Sequence, residues 1–166
     1  LTVDHCTVVG FAPTRGSWRS TSGRSGTFIQ DLGQYNTLAL YPGRTIIVGG
    51  DGGHGVYEQR SGNIDATQGQ VIIGGGGYGT YRHLDGWHMA TETVIGQQSP
   101  GALHYPEGTY ELLGATAEHI AQRTVVGDGG GATGRFIHAA GLNNTRELLV
   151  GRSGGRGEYL MSGGNL

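Results

Sequence analysis

Thr124-Val125-Val126-Gly127-Asp128-Gly129-Gly130-Gly131-Ala132-Thr133-Gly134-Arg135-Phe136-Ile137-His138-Ala139-Ala140-Gly141 is the stretch on which the fold turns. It holds a short β-type run closed by glycine, then glycine, any residue and an aromatic, then a glycine five residues past the aromatic. The first anchor recurs as Thr7-Val8-Val9-Gly10, Ile46-Ile47-Val48-Gly49, Val71-Ile72-Ile73-Gly74, Thr93-Val94-Ile95-Gly96 and Leu148-Leu149-Val150-Gly151. The second recurs as Gly26-Thr27-Phe28, Gly55-Val56-Tyr57, Gly79-Thr80-Tyr81, Gly108-Thr109-Tyr110 and Gly157-Glu158-Tyr159. The third recurs as Gly33, Gly62, Gly86 and Gly164, and in the fourth copy Gly114 comes one residue early. Glycine abundance alone does not place so many anchors in register, so the chain reads as six repeats.

Each copy offers one or two short strands between glycine turns, too little to bury a core alone. The copies must therefore stack with parallel strands in register. Glycine at the corners fits a coil that bends sharply, because only glycine enters positive φ freely. The expected fold is all-β: a single-stranded parallel β-helix (β-solenoid) of about six coils, right-handed, forming one domain over 1–166. The run-ending glycines lie 39, 25, 22, 31 and 24 residues apart, so a base coil of 22 to 25 residues carries loop insertions in two coils. These insertions fall at about 11–25, at 97–107 and at 115–123. The last is the one segment whose Ala117, Glu118, Ala121 and Gln122 favour helix.

Composition excludes other classes. Glycine supplies 35 of 166 residues, but with 4 prolines and no Gly-X-Y period the chain is not collagen. Apolar residues make up 36% and arrive in compact runs, and the net charge is -2, so a disordered chain is a poor fit. The near-neutral balance gives no electrostatic reason to expect nucleic acid. No apolar run is long enough to span a membrane, so no membrane insertion is expected, and no charged-then-apolar leader is seen after Leu1. The 11 basic residues are all arginine, which nothing in the sequence explains. Cys6 is the single cysteine and reads as a small buried residue.

The two ends match as halves of one coil. Joining Leu166 to a following Leu1 puts the next anchor 25 residues on, an uninterrupted internal spacing. With no cap at either terminus, the expected partners are identical copies head to tail, a heterologous contact that yields a filament. Leu1, Thr2, Val3, Gly163, Gly164, Asn165 and Leu166 are the candidate stacking ends. Six coils at about 4.8 Å each advance about 29 Å along such a fibre. Neighbouring filaments or glycans are further candidate partners.

The motif from Val150-Gly151 through Gly157-Glu158-Tyr159 to Gly163-Gly164-Asn165-Leu166 resembles the glycine-rich repeats of bacterial autotransporter-type and related surface β-solenoid proteins. The resemblance covers nearly the whole chain apart from the insertions. It implies bacterial-type secretion, an extracellular or cell-surface location and an adhesive or matrix-forming role, and it transfers no catalytic residue. The expected function is a structural subunit of an extracellular fibre. The alternatives are a surface adhesin or autotransporter passenger that binds glycans or matrix, and a polysaccharide-lyase-like enzyme.

Several residues are candidates for chemistry. The aromatic ladder Phe28, Tyr57, Tyr81, Tyr110, Phe136 and Tyr159 is expected to stack at about 4.8 Å and stabilise the coil, with its phenols reaching solvent or a polar partner. An exposed ladder would suit carbohydrate stacking or electron hopping. Two residues past each aromatic stand Gln30, Gln59, His83, Leu112, His138 and Met161; Gln30 and Gln59 are placed to form an amide ladder. His83 and His138 lie two coils apart, about 9.6 Å, too far to share one ion, so the seven histidines read as surface or turn residues. No metal and no cofactor is expected. Calcium is the one ion that the glycine turns at Asp51 and Asp128 suggest, but they lack the order of a calcium repeat.

The carboxylates Asp31, Glu58, Glu111 and Glu158 occupy unlike repeat positions, so no catalytic set is assembled and no enzyme is expected. Asn143-Asn144-Thr145 makes Asn143 a possible glycosylation acceptor on an exposed corner. The middle residues of the anchor runs, Val8, Ile47, Ile72, Val94, Val125 and Leu149, are expected to form an outward apolar stripe. Threonine recurs at the first position of these runs only at 7, 93 and 124, too rarely for an ice-binding face.

Overall fold

The computed structural model describes residues 2–3, 7–11, 25–31, 36–40, 42–99 and 104–166. Two parallel sheets carry the chain. The first contains β1 (Thr2–Val3), β4 (Thr37–Leu40), β7 (Asn63–Gly75), β9 (Trp87–Gln97), β11 (Glu118–Asp128) and β13 (Leu142–Arg152) in that spatial order. β2 (Thr7–Phe11) lies beside β5 (Thr45–Gly50), which pairs with β7. The second sheet runs β3 (Ser25–Asp31), β6 (His54–Ser61), β8 (Tyr78–His83), β10 (Glu107–Leu112), β12 (Thr133–His138) and β14 (Arg156–Met161). The protein is a parallel β-solenoid in which six rungs on the second sheet are joined by about five turns.

The anchors set the register. Val48, Ile73, Ile95, Val126 and Val150 are successive cross-strand partners in the first sheet. The six aromatics are successive partners in the second. Ile46, Val48, Val71, Ile73, Ile95 and Val126 are fully buried between the sheets with Tyr57, Tyr81, Tyr110 and Phe136, as the period-2 alternation of a strand requires.

Both motif glycines belong to one contact. Gly74, at φ 72°, ends the run of one rung, and Gly108 opens the Gly-x-aromatic of the next. A Cβ on Gly74 would stand 2.3 Å from the Glu107 carbonyl oxygen, and one on Gly108 would stand 2.2 Å from that of Ile73. Backbone meets backbone at the corner where the first sheet gives way to the second. Side chains are excluded there by space at both positions and by φ at the first.

Two expectations are corrected. The segment 115–123 is no helix: after a turn at 115–116 it enters β11, where Glu118 pairs with Trp87 and Leu142, and His119 and Ala121 point inward. Helix propensity is a weak prior, and two flanking strands in register outweigh it. The outward stripe is also only partly exposed. Ile47, Ile72 and Leu149 are half-buried, whereas Val94 and Val125 are fully buried though they lie outside the core cluster. Arg152 spans that region, its guanidinium bonded to Asp128 at 2.7 Å and to Glu92 two rungs back at 3.3 Å.

The described part of the 97–107 insertion runs along the corner, with Ser99 beside Gly76 and Tyr105 beside Gly131. Leu1, Cys6, His5, residues 12–24 of the first insertion and 100–103 of the second lie outside the described residues. Thr2 and Val3 are placed by their backbone pairing with Ala39 and Leu40.

Candidate functional site

The aromatic ladder lies inside the coil, with ring centroids between 4.8 and 5.0 Å apart from rung to rung. Tyr57, Tyr81 and Tyr110 are fully buried and Tyr159 on the last rung is half-buried, and all four phenols meet a polar partner. The Tyr57 hydroxyl donates to Gln30 Oε1 at 2.5 Å, and that of Tyr81 to Gln59 Oε1 at 2.6 Å. Tyr110 Oη lies 2.9 Å from His83 Nδ1, and Tyr159 Oη lies 2.8 Å from His138 Nδ1. Each tyrosine is thus bonded to the residue two past the aromatic of the preceding rung.

Glutamine and histidine do the same work in that column. Gln59 Nε2 donates to the carbonyl of Gly62, and the Nε2 groups of His83 and His138 face those of Gly86 and Gly141. One end of the side chain closes the corner carbonyl, and the other accepts the phenol. The ring nitrogens follow: Nε2 carries the proton in His83 and His138, leaving Nδ1 as acceptor. Tyr110 Oη then accepts from His88 Nδ1 at 3.3 Å, as Tyr159 Oη accepts from Asn143 Nδ2 at 3.0 Å. The fourth copy departs from this scheme as a unit. Leu112 stands where the first three copies and the fifth hold Gln or His, and the ring of the next rung is Phe136, which has no hydroxyl to satisfy.

The histidines correct a further expectation. His83, His88, His119 and His138 are fully buried core residues rather than surface or turn residues. Burial lowers the His83 pKa to about 4 and that of His119 to about 3, and it pushes His88 well below the ordinary 6.5. Desolvation is the largest cause in all three, because a neutral ring is cheaper to bury than a cation. The same burial raises Tyr57, Tyr81 and Tyr110 far above the ordinary 10.0. Gln30 and Gln59 are register partners, yet their amides serve phenols and corner carbonyls. Among the described residues no cluster of three or more His, Cys, Asp or Glu could hold a metal ion.

One orphan marks the gap left by Phe136. His119 Nε2 meets Thr124 Oγ1 at 3.0 Å, but its buried Nδ1 has no partner. In the preceding turn the equivalent nitrogen of His88 bonds Tyr110. Phe136→Tyr is therefore expected to raise stability by about 1 kcal/mol, by supplying that partner. Urea midpoints of the two proteins check this, and a lower midpoint for the variant would show that the added hydroxyl stays unpaired beside Leu112.

The outer surface is charged and internally paired. Glu58, Arg82 and Glu111 occupy one column of the second sheet, with Arg82 Nε 3.1 Å from Glu111. Arg123 lies between Glu92 and Glu147 on the first sheet, its Nε 2.7 Å from Glu147. Gln70, Glu92, Arg123 and Glu147 line an open polar groove there. Asp128 is held below the usual carboxylate range by its hydrogen bonds from Arg152, so it serves an ion pair in this structure. Asn143 is not the exposed acceptor expected: it is 1% exposed, and its Nδ2, the atom a glycan would modify, donates to Tyr159.

The end rungs differ from the rungs between them. Val126 and Leu112 are fully buried, while their column mates Val150 and Met161 are 48% and 47% exposed on the last rung. On the first rung of the second sheet Phe28 is 38% exposed and Ile29 47%. Of the candidate stacking residues, Gly163 and Gly164 pack on the main chain of Ala139 and Gly141, and Asn165 bridges to Leu142. Leu166 is 70% exposed.

The +2 column and its phenol partners were visible in the sequence as a run of Gln, His and Leu. What hid their role was the default that polar side chains face water. Searched against known proteins, the chain matches no family model, no curated protein and no solved structure.

Proposed function

We propose that this solenoid is the structural subunit of an extracellular fibre, formed by stacking one copy on the next along the coil axis. The observation that carries it is the exposure of core columns at the last rung, where Val150 and Met161 stand in the open although the preceding rung buries Val126 and His138. An open parallel edge also leaves a row of backbone donors and acceptors unpaired, which a further strand satisfies. The likeness of the repeats to autotransporter-type surface solenoids supports export and display outside the cell. Electron microscopy of the concentrated protein is expected to show rods many times longer than one chain, with an axial repeat of about 29 Å. A population that stays monomeric at high concentration in sedimentation, with no rods on the grid, overturns it.

A second reading is favoured by the polar groove of Gln70, Glu92, Arg123 and Glu147. Amide, carboxylate and guanidinium groups on a flat strand surface suit the hydroxyls of a glycan, so the same rod would act as an adhesin. Glycan-array binding that is lost with Gln70→Ala and Glu92→Gln distinguishes that use from a purely structural one.

A further inference from the structure

The core carries a pairing rule, and the rule identifies which strand fits the open face of β14. In four of the five steps of the second sheet, a tyrosine ring sits above a hydrogen-bonding residue: Tyr57 above Gln30, Tyr81 above Gln59, Tyr110 above His83 and Tyr159 above His138. In the remaining step Phe136, which has no hydroxyl, sits above the apolar Leu112. The sixth member of the lower column is Met161, which is apolar and 47% exposed. A tyrosine seated above Met161 would bury its hydroxyl facing a thioether, a weak acceptor. Of the six aromatics only Phe28 and Phe136 lack the hydroxyl, and Phe136 already has its place. The geometry points to Phe28 of a second copy as the ring that covers Tyr159 and Met161, so that β3 of one copy pairs in register with β14 of another.

A second column agrees independently. Ile29, Glu58, Arg82, Glu111, Ile137 and Leu160 are successive partners. The charges alternate in the middle and the ends are apolar, with Ile29 and Leu160 both exposed. Setting Ile29 on Leu160 continues the apolar pair Ile137 and Leu160 by one step and leaves no charge facing it across the junction.

This junction rests on the stacking proposed above, and its test separates the two. On a Cys6→Ser background, the pair Ile29→Cys and Leu160→Cys places two outward thiols in register on neighbouring strands, about 4.8 Å apart at Cα, within disulfide reach. Mild oxidation is expected to give a ladder of covalent multimers on a non-reducing gel. The control pair Ile29→Cys and Glu158→Cys, two residues out of register, is expected to give none. Without cysteines, Phe28→Tyr and Met161→Gln are each expected to alter assembly, and Phe28→Tyr alone to weaken it at least tenfold by stranding a phenol. The double variant, which recreates the Tyr–Gln pair seen at Tyr57 and Gln30, is expected to assemble like the parent. Long rods in the parent with no ladder from the in-register pair, or a ladder from the control pair, overturn this junction while leaving stacking intact. Absence of any oligomer in the parent overturns both.

Discussion

Gly108→Ala is expected to abolish the folded state, while Gly130→Ala leaves it untouched. The methyl group on residue 108 would stand 2.2 Å from the Ile73 carbonyl oxygen, 2.3 Å from the Gly96 nitrogen and 2.9 Å from the Ile95 carbonyl carbon. All three are main-chain atoms of two neighbouring rungs, so no rotamer change relieves the overlap. The corner would have to open by about an ångström, and the ladders from β10 to β8 and from β9 to β7 would break with it. Mechanisms of this kind account for the rare substitutions that cost more than about 4 kcal/mol. A Cβ on Gly130 meets nothing within 4 Å, and a surface change of that type stays within about 0.5 kcal/mol. Gly43 isolates the remaining variable: it has free space but a φ of 73°, so Gly43→Ala costs only the left-handed strain, about 1–2 kcal/mol. Circular dichroism and urea titration rank the three. A Gly108→Ala protein with the parent midpoint would show that the corner is not the tight contact described.

That contact explains why the fold was legible before any coordinates. The run-ending glycine of one copy and the Gly-x-aromatic glycine of the next are fixed by one steric event at four corners, Gly49 with Gly79, Gly74 with Gly108, Gly96 with Gly134 and Gly127 with Gly157, and the aromatics by one stacking distance, so both print a period on the sequence. Strand alternation was readable as well: Ile46 and Val48 face in, and Ile47 faces out. Other features leave no such mark. Residues 115–123 look helical because Ala, Glu and Gln favour helix alone, and only Trp87 and Leu142 on either side of Glu118 make them a strand. Val94 and Val125 look exposed by alternation, and the arm that spans their region comes from Arg152, far along the chain. Asn143 sits in an acceptor tripeptide, but its amide is taken by a phenol sixteen residues later. The end surfaces were readable as columns, since Met161 continues the series that holds Leu112; what could not be read was that the series lies inside, bonded ring by ring.

The buried histidines are expected to make the solenoid less stable in mild acid. His83, His88 and His119 hold their folded-state pKa values below the ordinary 6.5, near 4 for His83 and near 3 for His119. The unfolded chain therefore binds more protons than the folded one between those values, and stability rises with pH across the window. The contribution is fully present above about pH 6.5, where both states are neutral. Below it, each ring withdraws up to about 1.4 kcal/mol per pH unit, so the three together withdraw about 4 kcal/mol per unit. By pH 5 the three have withdrawn about 6 kcal/mol, so a domain at the low end of the ordinary range of about 5–15 kcal/mol unfolds near pH 5 and a more stable one further down. The carboxylates Asp85 and Asp128 act later: their lowered values place their loss of stability below the ordinary 3.8. The buried tyrosines act at the other end, because their raised values mean that stability is lost as pH climbs past 10.0. Dilute protein titrated with urea at half-unit steps from pH 8 to 5 measures the slope. His88→Ile with His119→Ile tests its origin, since Ile64 already occupies that column one rung earlier. The pair is expected to cut the slope to about 1.4 kcal/mol per pH unit, the share of His83 alone. A slope unchanged by those substitutions would place the acid sensitivity elsewhere, and a flat profile down to pH 5 would mean that the rings take up protons without leaving the core.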